Sequence, residues 1–123
     1  MKQLYKPTNP SKVLSAGVLE GSARQITLMK MFDLHPSIQQ WGFRPLAIPY
    51  RAEDGILHLY HPSFLVIYAP SDDTPSRGEI VEVATRRAMV DHLAKWEAAE
   101  AFAVSKGLTF KVIFEDQMTK KGK

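Results

Sequence analysis

A long alanine-rich segment between two short apolar segments constrains the fold of this chain more than any other feature. The segment "RRAMVDHLAKWEAAEAFAVSKG", residues 86–107, carries an apolar stripe at helical spacing, made by Met89, Leu93, Trp96 with Ala99, and Phe102 with Ala103. We predict one helix here, ended by Gly107. The flanking segments "EIVEVAT" and "LTFKVIF" are predicted strands. Because a crossover helix returns the chain in its original direction, the last strand is expected to pair in parallel with an earlier one.

The first half of the chain predicts a helix followed by extended segments. Ser22 and Gln25 have the spacing of a capping box at the start of a helix. An Asp-Gly pair at 54–55 is a hairpin turn signal, and "HLYHPSFLV", residues 58–66, is predicted to form one strand that curls at Ser63. The order helix, three strands, helix, strand predicts an α/β domain with a mixed sheet of about four strands flanked by helices.

Length and composition indicate one globular domain. The 123 residues fit a single core, divided into an N-terminal arm (1–19), an α/β domain (20–115) and a basic flexible tail (116–123). The absence of cysteine excludes disulfides and thiolate metal sites. A net charge of +3 permits contact with a polyanion. Neither a membrane-spanning apolar run nor a secretory signal is expected, which favours a cytoplasmic location.

Three stretches carry a family resemblance: "FRPLAIPYRAEDGILHLYHPSFLV", "EIVEVATRRAM" and "KWEAAEAFAVSKGLTFKVI". Over residues 20–115 the chain resembles the PD-(D/E)xK nucleases, and more closely the N-terminal catalytic domain of TnsA-type transposon endonucleases. The resemblance implies a restriction-endonuclease-like core. In that family an acidic residue of the first helix, the aspartate of "P-D-F-L-V" and the "E-V-K" or "Q-x-K" strand form the active site. Their carboxylates hold Mg²⁺, and the lysine stabilises developing charge or positions the water.

The four motif positions can be compared with this sequence one by one. Gln25 stands at the acidic position of the first helix, with Glu20 as a possible stand-in. Ser63 replaces the aspartate, Glu82 is kept, and Ala84 replaces the lysine. The resemblance therefore implies a site in which only one of the four motif positions, Glu82, keeps a residue type suited to catalysis.

The remaining acidic and basic candidates each have two interpretations. Glu82 is the candidate metal ligand, or a charge satisfied by Arg86 or Arg87. Lys95 is a displaced catalytic lysine, or a solvent-side neighbour of Trp96. The candidate DNA-contacting residues are Arg44, Arg86, Arg87 and Lys95. The simpler alternative for the arginine pair is an interaction with Glu82 or Asp91.

Histidines and aromatic residues give two further alternatives. His58, His61 and His92 would have to converge to bind zinc, although His58 and His61 should point to opposite faces of a strand. Trp41 and Phe43 could stack on bases or on a partner, with core packing as the other interpretation.

Three functional hypotheses follow. The first is a non-cleaving, nuclease-like protein that docks DNA, a partner protein or both in a transposition or phage assembly, and needs no cofactor. The second is an active Mg²⁺-dependent endonuclease with a rearranged site made of Glu20, Glu82 and Lys95. The third is a small α/β protein-interaction module. The phage version of the first hypothesis would place the protein in a phage particle.

Overall fold

Strands and helices are both present along residues 2–14 and 17–119, the part of the chain that the computed structural model describes. The strands are β1 (Gln3–Tyr5), β2 (Leu19–Gly21), β3 (Ile38–Phe43), β4 (Ile48–Arg51), β5 (Leu57–Tyr60), β6 (Phe64–Tyr68), β7 (Arg77–Ala84) and β8 (Thr109–Phe114). The helices are α1 (Ala23–Leu34), α2 (Leu93–Ser105) and α3 (Glu115–Thr119), with 3-10 turns at Pro10–Lys12 and Arg87–His92. None of the described helices is long and apolar enough to cross a membrane.

The main sheet has four strands in the order β3-β6-β7-β8. β6 pairs antiparallel with both β3 and β7, and β8 pairs in parallel with β7 after the α2 crossover. Strands β1-β2 and β4-β5 form separate two-stranded sheets. This mixed α/β architecture confirms the predicted fold class and is consistent with a restriction-endonuclease-like core.

The two faces of the main sheet bury different helices. Alternate residues of β6 and β7, including Phe64 and Val81, pack with α1. Their neighbours Leu65 and Ile80 pack with α2 on the opposite side. We call these sides the α1 face and the α2 face.

Helix α1 begins as the sequence predicts. The Ser22 side chain accepts a hydrogen bond from the Gln25 backbone N–H at 3.2 Å, and the Gln25 side chain accepts one from the Ser22 N–H at 2.9 Å. The capping box satisfies two amides that the first helical turn leaves unpaired.

The N-terminal segment, expected to be an arm, is tied to the end of α1. Asp33 is fully buried, and its Oδ2 accepts hydrogen bonds from the Tyr5 hydroxyl at 2.7 Å and from the backbone N–H groups of Thr8 and Asn9 at 2.7 and 3.2 Å. Lys12 Nζ donates to three carbonyl groups at the end of the helix. The cation also complements the negative end of the helix dipole.

The alanine-rich helix is shorter than predicted. Its first turn is a 3-10 turn, and α2 begins only at Leu93. The Ala88 N–H is shared between the carbonyl and the hydroxyl oxygen of Thr85, which tightens the turn. Met89 is consequently 43% exposed and does not join the buried stripe of Trp96, Ala99 and Ala103. Gly107 ends the helix region with a φ of 73°, as predicted.

The prediction of one curled strand over residues 58–66 is wrong. The segment contains two strands, β5 and β6, that belong to different sheets. Buried Pro62 lies between them and has no N–H with which to continue a ladder. The predicted hairpin turn joins β4 to β5, with Gly55 at a φ of 78°.

The expected flexible tail begins with ordered structure. Residues 116–119 belong to α3, and Met118 packs against the core on the α1 face. The Gln117 side-chain oxygen accepts a hydrogen bond from the Phe114 N–H at 2.8 Å, and this bond closes the first turn of the helix. Residues 120–123 lie outside the described part of the chain.

Candidate functional site

A small cavity opens on the α2 face where β6 begins. Its volume is about 260 Å³, and its walls come from β5, β7, α2 and the end of β3. The lining residues are Arg44, Tyr50, His58, Leu59, Tyr60, His61, Glu82 and Lys95. We call it the Glu82 cavity.

Ser63 and Glu82 lie opposite each other because β6 and β7 pair with Phe64 against Val81. One oxygen of Glu82, Oε1, accepts hydrogen bonds from the Ser63 N–H at 2.9 Å and from the Ser63 hydroxyl at 3.0 Å. Ser63 is 3% exposed, whereas Glu82 is half-buried at the cavity wall. Ala84 follows two residues later on the same face, is buried, and contributes only a methyl group. Ser63, Glu82 and Ala84 therefore lie together on the α2 face.

Arg44 holds the chain beside this pair. Its backbone has a φ of 55°, a left-handed conformation that is uncommon outside glycine. The Arg44 N–H donates to the Ser63 carbonyl at 2.8 Å, and its guanidinium reaches the His61 carbonyl at 3.4 Å. The exposed guanidinium also lines the cavity. The fold thus brings one predicted DNA-contacting residue to Ser63.

Lys95 projects from the first turn of α2 into the same cavity. Its Nζ lies 5.7 Å from the centre of the Tyr60 ring, close enough for a weak cation–π contact. Lys95 therefore lines the same cavity as Glu82.

Tyr60 is a site residue that the sequence did not indicate. It is 5% exposed, and its hydroxyl has no hydrogen-bond partner within the described residues. Burial, together with the negative charge of Glu82, raises the pKa of Tyr60, so the phenol stays protonated. Tyr60 faces the interior because β5, to which it belongs, pairs with β4. No local sequence motif indicates this orientation.

Glu20 and Gln25 do not line the cavity. Gln25 is engaged in the capping box of α1, and Glu20 is an exposed residue of β2, which packs beside α1. Lys95 lies on α2, against the other face of the sheet. Of the three residues in the rearranged site, the fold brings together Glu82 and Lys95.

The expected pairing of Glu82 with the arginines is not observed. Arg86 Nε instead donates to Asp116 at 2.8 Å, and its guanidinium lies 4.3 Å from the centre of the Phe114 ring. Arg87 is exposed at the start of the 3-10 turn. The Glu82 carboxylate instead accepts hydrogen bonds from Ser63, which lies opposite it on the neighbouring strand.

The three histidines do not form a zinc site. His58 Nε2 lies 3.1 Å from Asp54, His61 Nδ1 lies 3.1 Å from the Leu46 carbonyl, and His92 stacks against Trp96 at 5.6 Å. His58 belongs to β5, whereas His61 lies in the break between β5 and β6, so strand spacing does not relate them.

The two aromatic residues beside Gly42 differ in exposure. Trp41 is fully buried and packs against Phe32 and Phe64. Phe43 is half-buried and packs on the same core. Both residues therefore serve core packing, one of the two interpretations given by the sequence.

The donor set around Glu82 is a poor match for Mg²⁺. This ion prefers several oxygen ligands that include carboxylates. Ser63 offers a hydroxyl that already donates its hydrogen to Glu82. No three histidine, aspartate or glutamate side chains converge anywhere in residues 2–14 and 17–119. No chemical step through a metal ion is therefore derived for this site.

The sequence matches a protein-family model over most of the α/β domain. The model of the family described as TnsA-like endonuclease N terminal matches residues 35–115, about two thirds of the chain. That range runs from β3 to the end of β8 and contains Ser63, Glu82 and Lys95, but not Glu20 or Gln25. No curated protein and no solved structure gives a significant match. The chain belongs to the TnsA-like endonuclease N-terminal family.

Proposed function

We propose that this chain is a non-cleaving member of the family that docks DNA, together with a partner protein, in a transposition or phage nucleoprotein assembly. The observation that carries the proposal is the contact between Ser63 and Glu82. Two facing carboxylates repel each other unless a cation lies between them. Here the second carboxylate is replaced by a serine whose N–H and hydroxyl both donate to Glu82. Protein donors thus stabilise the charge that a metal ion would otherwise balance.

The docking part of the proposal is supported by the charges in the cavity. Arg44 and Lys95 contribute two cations against the single carboxylate of Glu82. Such groups position a nucleic-acid backbone without reading its sequence. Arg87, exposed at the start of the neighbouring 3-10 turn, extends the basic surface.

A single assay tests both parts. Wild-type protein is incubated with supercoiled plasmid and with labelled duplex, at low and high salt, with Mg²⁺ or Mn²⁺. We expect binding that weakens with salt and a plasmid that remains intact. Lys95→Ala should weaken binding and lower the slope of log affinity against log salt by about one. Lys30→Ala, an exposed lysine on α1, is the matched control and should bind as the wild type does.

Two results would overturn the proposal. Metal-dependent nicking that disappears in Glu82→Ala would establish an active endonuclease with a rearranged site. One observation favours that second candidate, namely that Glu82 and Lys95 line the same cavity. Absence of salt-dependent binding would instead indicate a protein-interaction module without a nucleic-acid role.

A further inference from the structure

A second, larger depression adjoins the Glu82 cavity. Its volume is about 640 Å³, and it lies between the β4–β5 turn and the stretch from the Arg87–His92 turn to the first turn of α2. It shares Tyr50 and Lys95 with the Glu82 cavity. We call it the acidic groove.

The wall on the α2 side is apolar and exposed. Val90 is 74% exposed and Leu93 is 51% exposed, and the 3-10 turn that carries Val90 contains no buried residue. Leu93 begins α2 and Val90 lies on the 3-10 turn before it, so both precede the part of the helix that packs on the sheet. Exposed apolar surface rimmed by polar groups is typical of protein interaction sites.

The rim of the groove is negatively charged. Glu53, Asp54 and Asp91 contribute three carboxylates, against the single cation of Lys95. Asp54 interacts with His58, but neither Glu53 nor Asp91 forms an ion pair with another described residue. The chain as a whole carries a net charge of +3, so this region opposes the overall sign. Its carboxylates would repel a phosphate backbone.

We propose that the acidic groove binds a basic amphipathic helix of a partner protein. The apolar side of such a helix would cover Val90 and Leu93, and its lysines or arginines would face Glu53 and Asp91. Complementary charge fixes the orientation of the helix and speeds the encounter, while the apolar contact supplies burial. This partner site is separate from the proposed DNA-docking surface. Because Lys95 lines both depressions, binding of the partner helix and binding of DNA would affect each other.

The test uses a synthetic helical peptide with leucines on one face and lysines on the other. Binding to the full chain is measured by fluorescence anisotropy at low salt. We expect saturable binding that Asp91→Lys weakens by roughly tenfold. Leu93→Ser should also weaken binding through loss of apolar contact. Glu100→Lys, an exposed residue of α2 outside the groove, is the matched control for a change of charge alone.

Three outcomes would overturn the inference: no saturable binding, equal weakening by Glu100→Lys, or equal affinity for a peptide of the same composition with its amphipathic order scrambled. Asp91→Asn serves as a second variant, since it removes the charge at an exposed position with little change of shape. Duplex DNA is titrated against the same proteins. Asp91→Lys should not weaken DNA binding, so failure here is distinguishable from failure of the proposed DNA docking.

Discussion

Each face of the sheet has a carboxylate that is at least partly buried, and the surroundings of the two carboxylates differ. On the α1 face, Asp33 is fully buried and accepts three hydrogen bonds from the N-terminal segment. On the α2 face, Glu82 is half-buried, accepts from Ser63 through one oxygen, and lines a cavity beside Lys95. Both carboxylates accept these bonds through one oxygen, and Asp33 Oδ1 has no hydrogen-bond partner within the described residues. The difference is that Asp33 is fully buried, whereas Glu82 lies beside a cavity and remains able to meet a ligand.

The tyrosines beside the two carboxylates also differ. Tyr5 donates its hydroxyl hydrogen to Asp33 at 2.7 Å. The Tyr60 hydroxyl, next to Glu82, has no hydrogen-bond partner within the described residues. Trp96 Nε1 and His92 Nδ1, also on the α2 face, are likewise buried without such a partner. On the α1 face, Asp33 Oδ1 and Trp41 Nε1 are also buried without a hydrogen-bond partner within the described residues. An unpaired buried polar group costs free energy, so both faces bear such a cost.

The largest expected effect comes from Asp33. Asp33→Ala removes the acceptor of three hydrogen bonds and leaves their donors unpaired. We expect the free energy of unfolding to fall by about 3 kcal/mol, measured by urea denaturation. Asp72→Ala, in an exposed loop, is the matched control and should change stability by less than about 0.5 kcal/mol. A loss at Asp33 no larger than at Asp72 would show that the N-terminal segment is not held in this way.

The stabilisation by Asp33 should also depend on pH. Burial tends to raise the pKa of Asp33, but hydrogen bonds from Tyr5, Thr8 and Asn9 outweigh it and hold the pKa below the ordinary 3.8. Because the folded pKa is depressed, this stabilisation is present above pH 3.8 and is lost as pH falls through the folded pKa. Asp33→Asn should therefore show a smaller loss of melting temperature below pH 4. An unchanged acid dependence would contradict this assignment.

The third prediction concerns Tyr5. Tyr5→Phe removes one donor to a charged acceptor while Thr8 and Asn9 remain. We expect a loss of about 1.5 kcal/mol in the free energy of unfolding by urea denaturation. Tyr50→Phe is a suitable control, because the Tyr50 side chain is half-buried and stacks on His58 through its ring. Equal effects of the two substitutions would count against a special role for the Tyr5 hydroxyl.

Ser63→Ala tests the α2 face directly. Glu82 keeps the Ser63 N–H and can be hydrated from the cavity, so the expected loss of unfolding free energy is about 1 kcal/mol. Ser63→Asp would place a second carboxylate against Glu82, and we expect its melting temperature to rise on addition of Mg²⁺ more than that of the wild type. An identical response to Mg²⁺ in both proteins would mean that the position does not face a potential metal site.

The smallest effect is expected at Tyr60. Tyr60→Phe removes a hydroxyl that lies near the Glu82 charge but makes no hydrogen bond of ordinary geometry within the described residues, so stability should change by less than about 0.5 kcal/mol or rise slightly. Thermal unfolding of this variant beside Tyr5→Phe gives a direct comparison of the two faces. A loss at Tyr60 as large as that at Tyr5 would show that its hydroxyl is bonded after all.

Several local features could be predicted from the sequence because they depend on near neighbours. The capping box needs only Ser22 and Gln25, and the β4–β5 turn depends on the Asp-Gly pair. The parallel β7–β8 pair follows from the crossover. The start of α2 was misplaced because Thr85 competes for the helix amide, and the break at Pro62 was missed because the apolar pattern continues through it.

The sequence by itself determined the α/β order and the mixed sheet. These rest on periodicity, turn chemistry and strand pairing, all of which are encoded locally. Only the tertiary structure decided that Glu82 pairs with Ser63 and not with an arginine, that Lys95 enters the same cavity, and that Glu20 does not. It also decided that Asp33 holds the N-terminal segment. Each of these depends on packing between residues far apart in the chain, which no local pattern specifies.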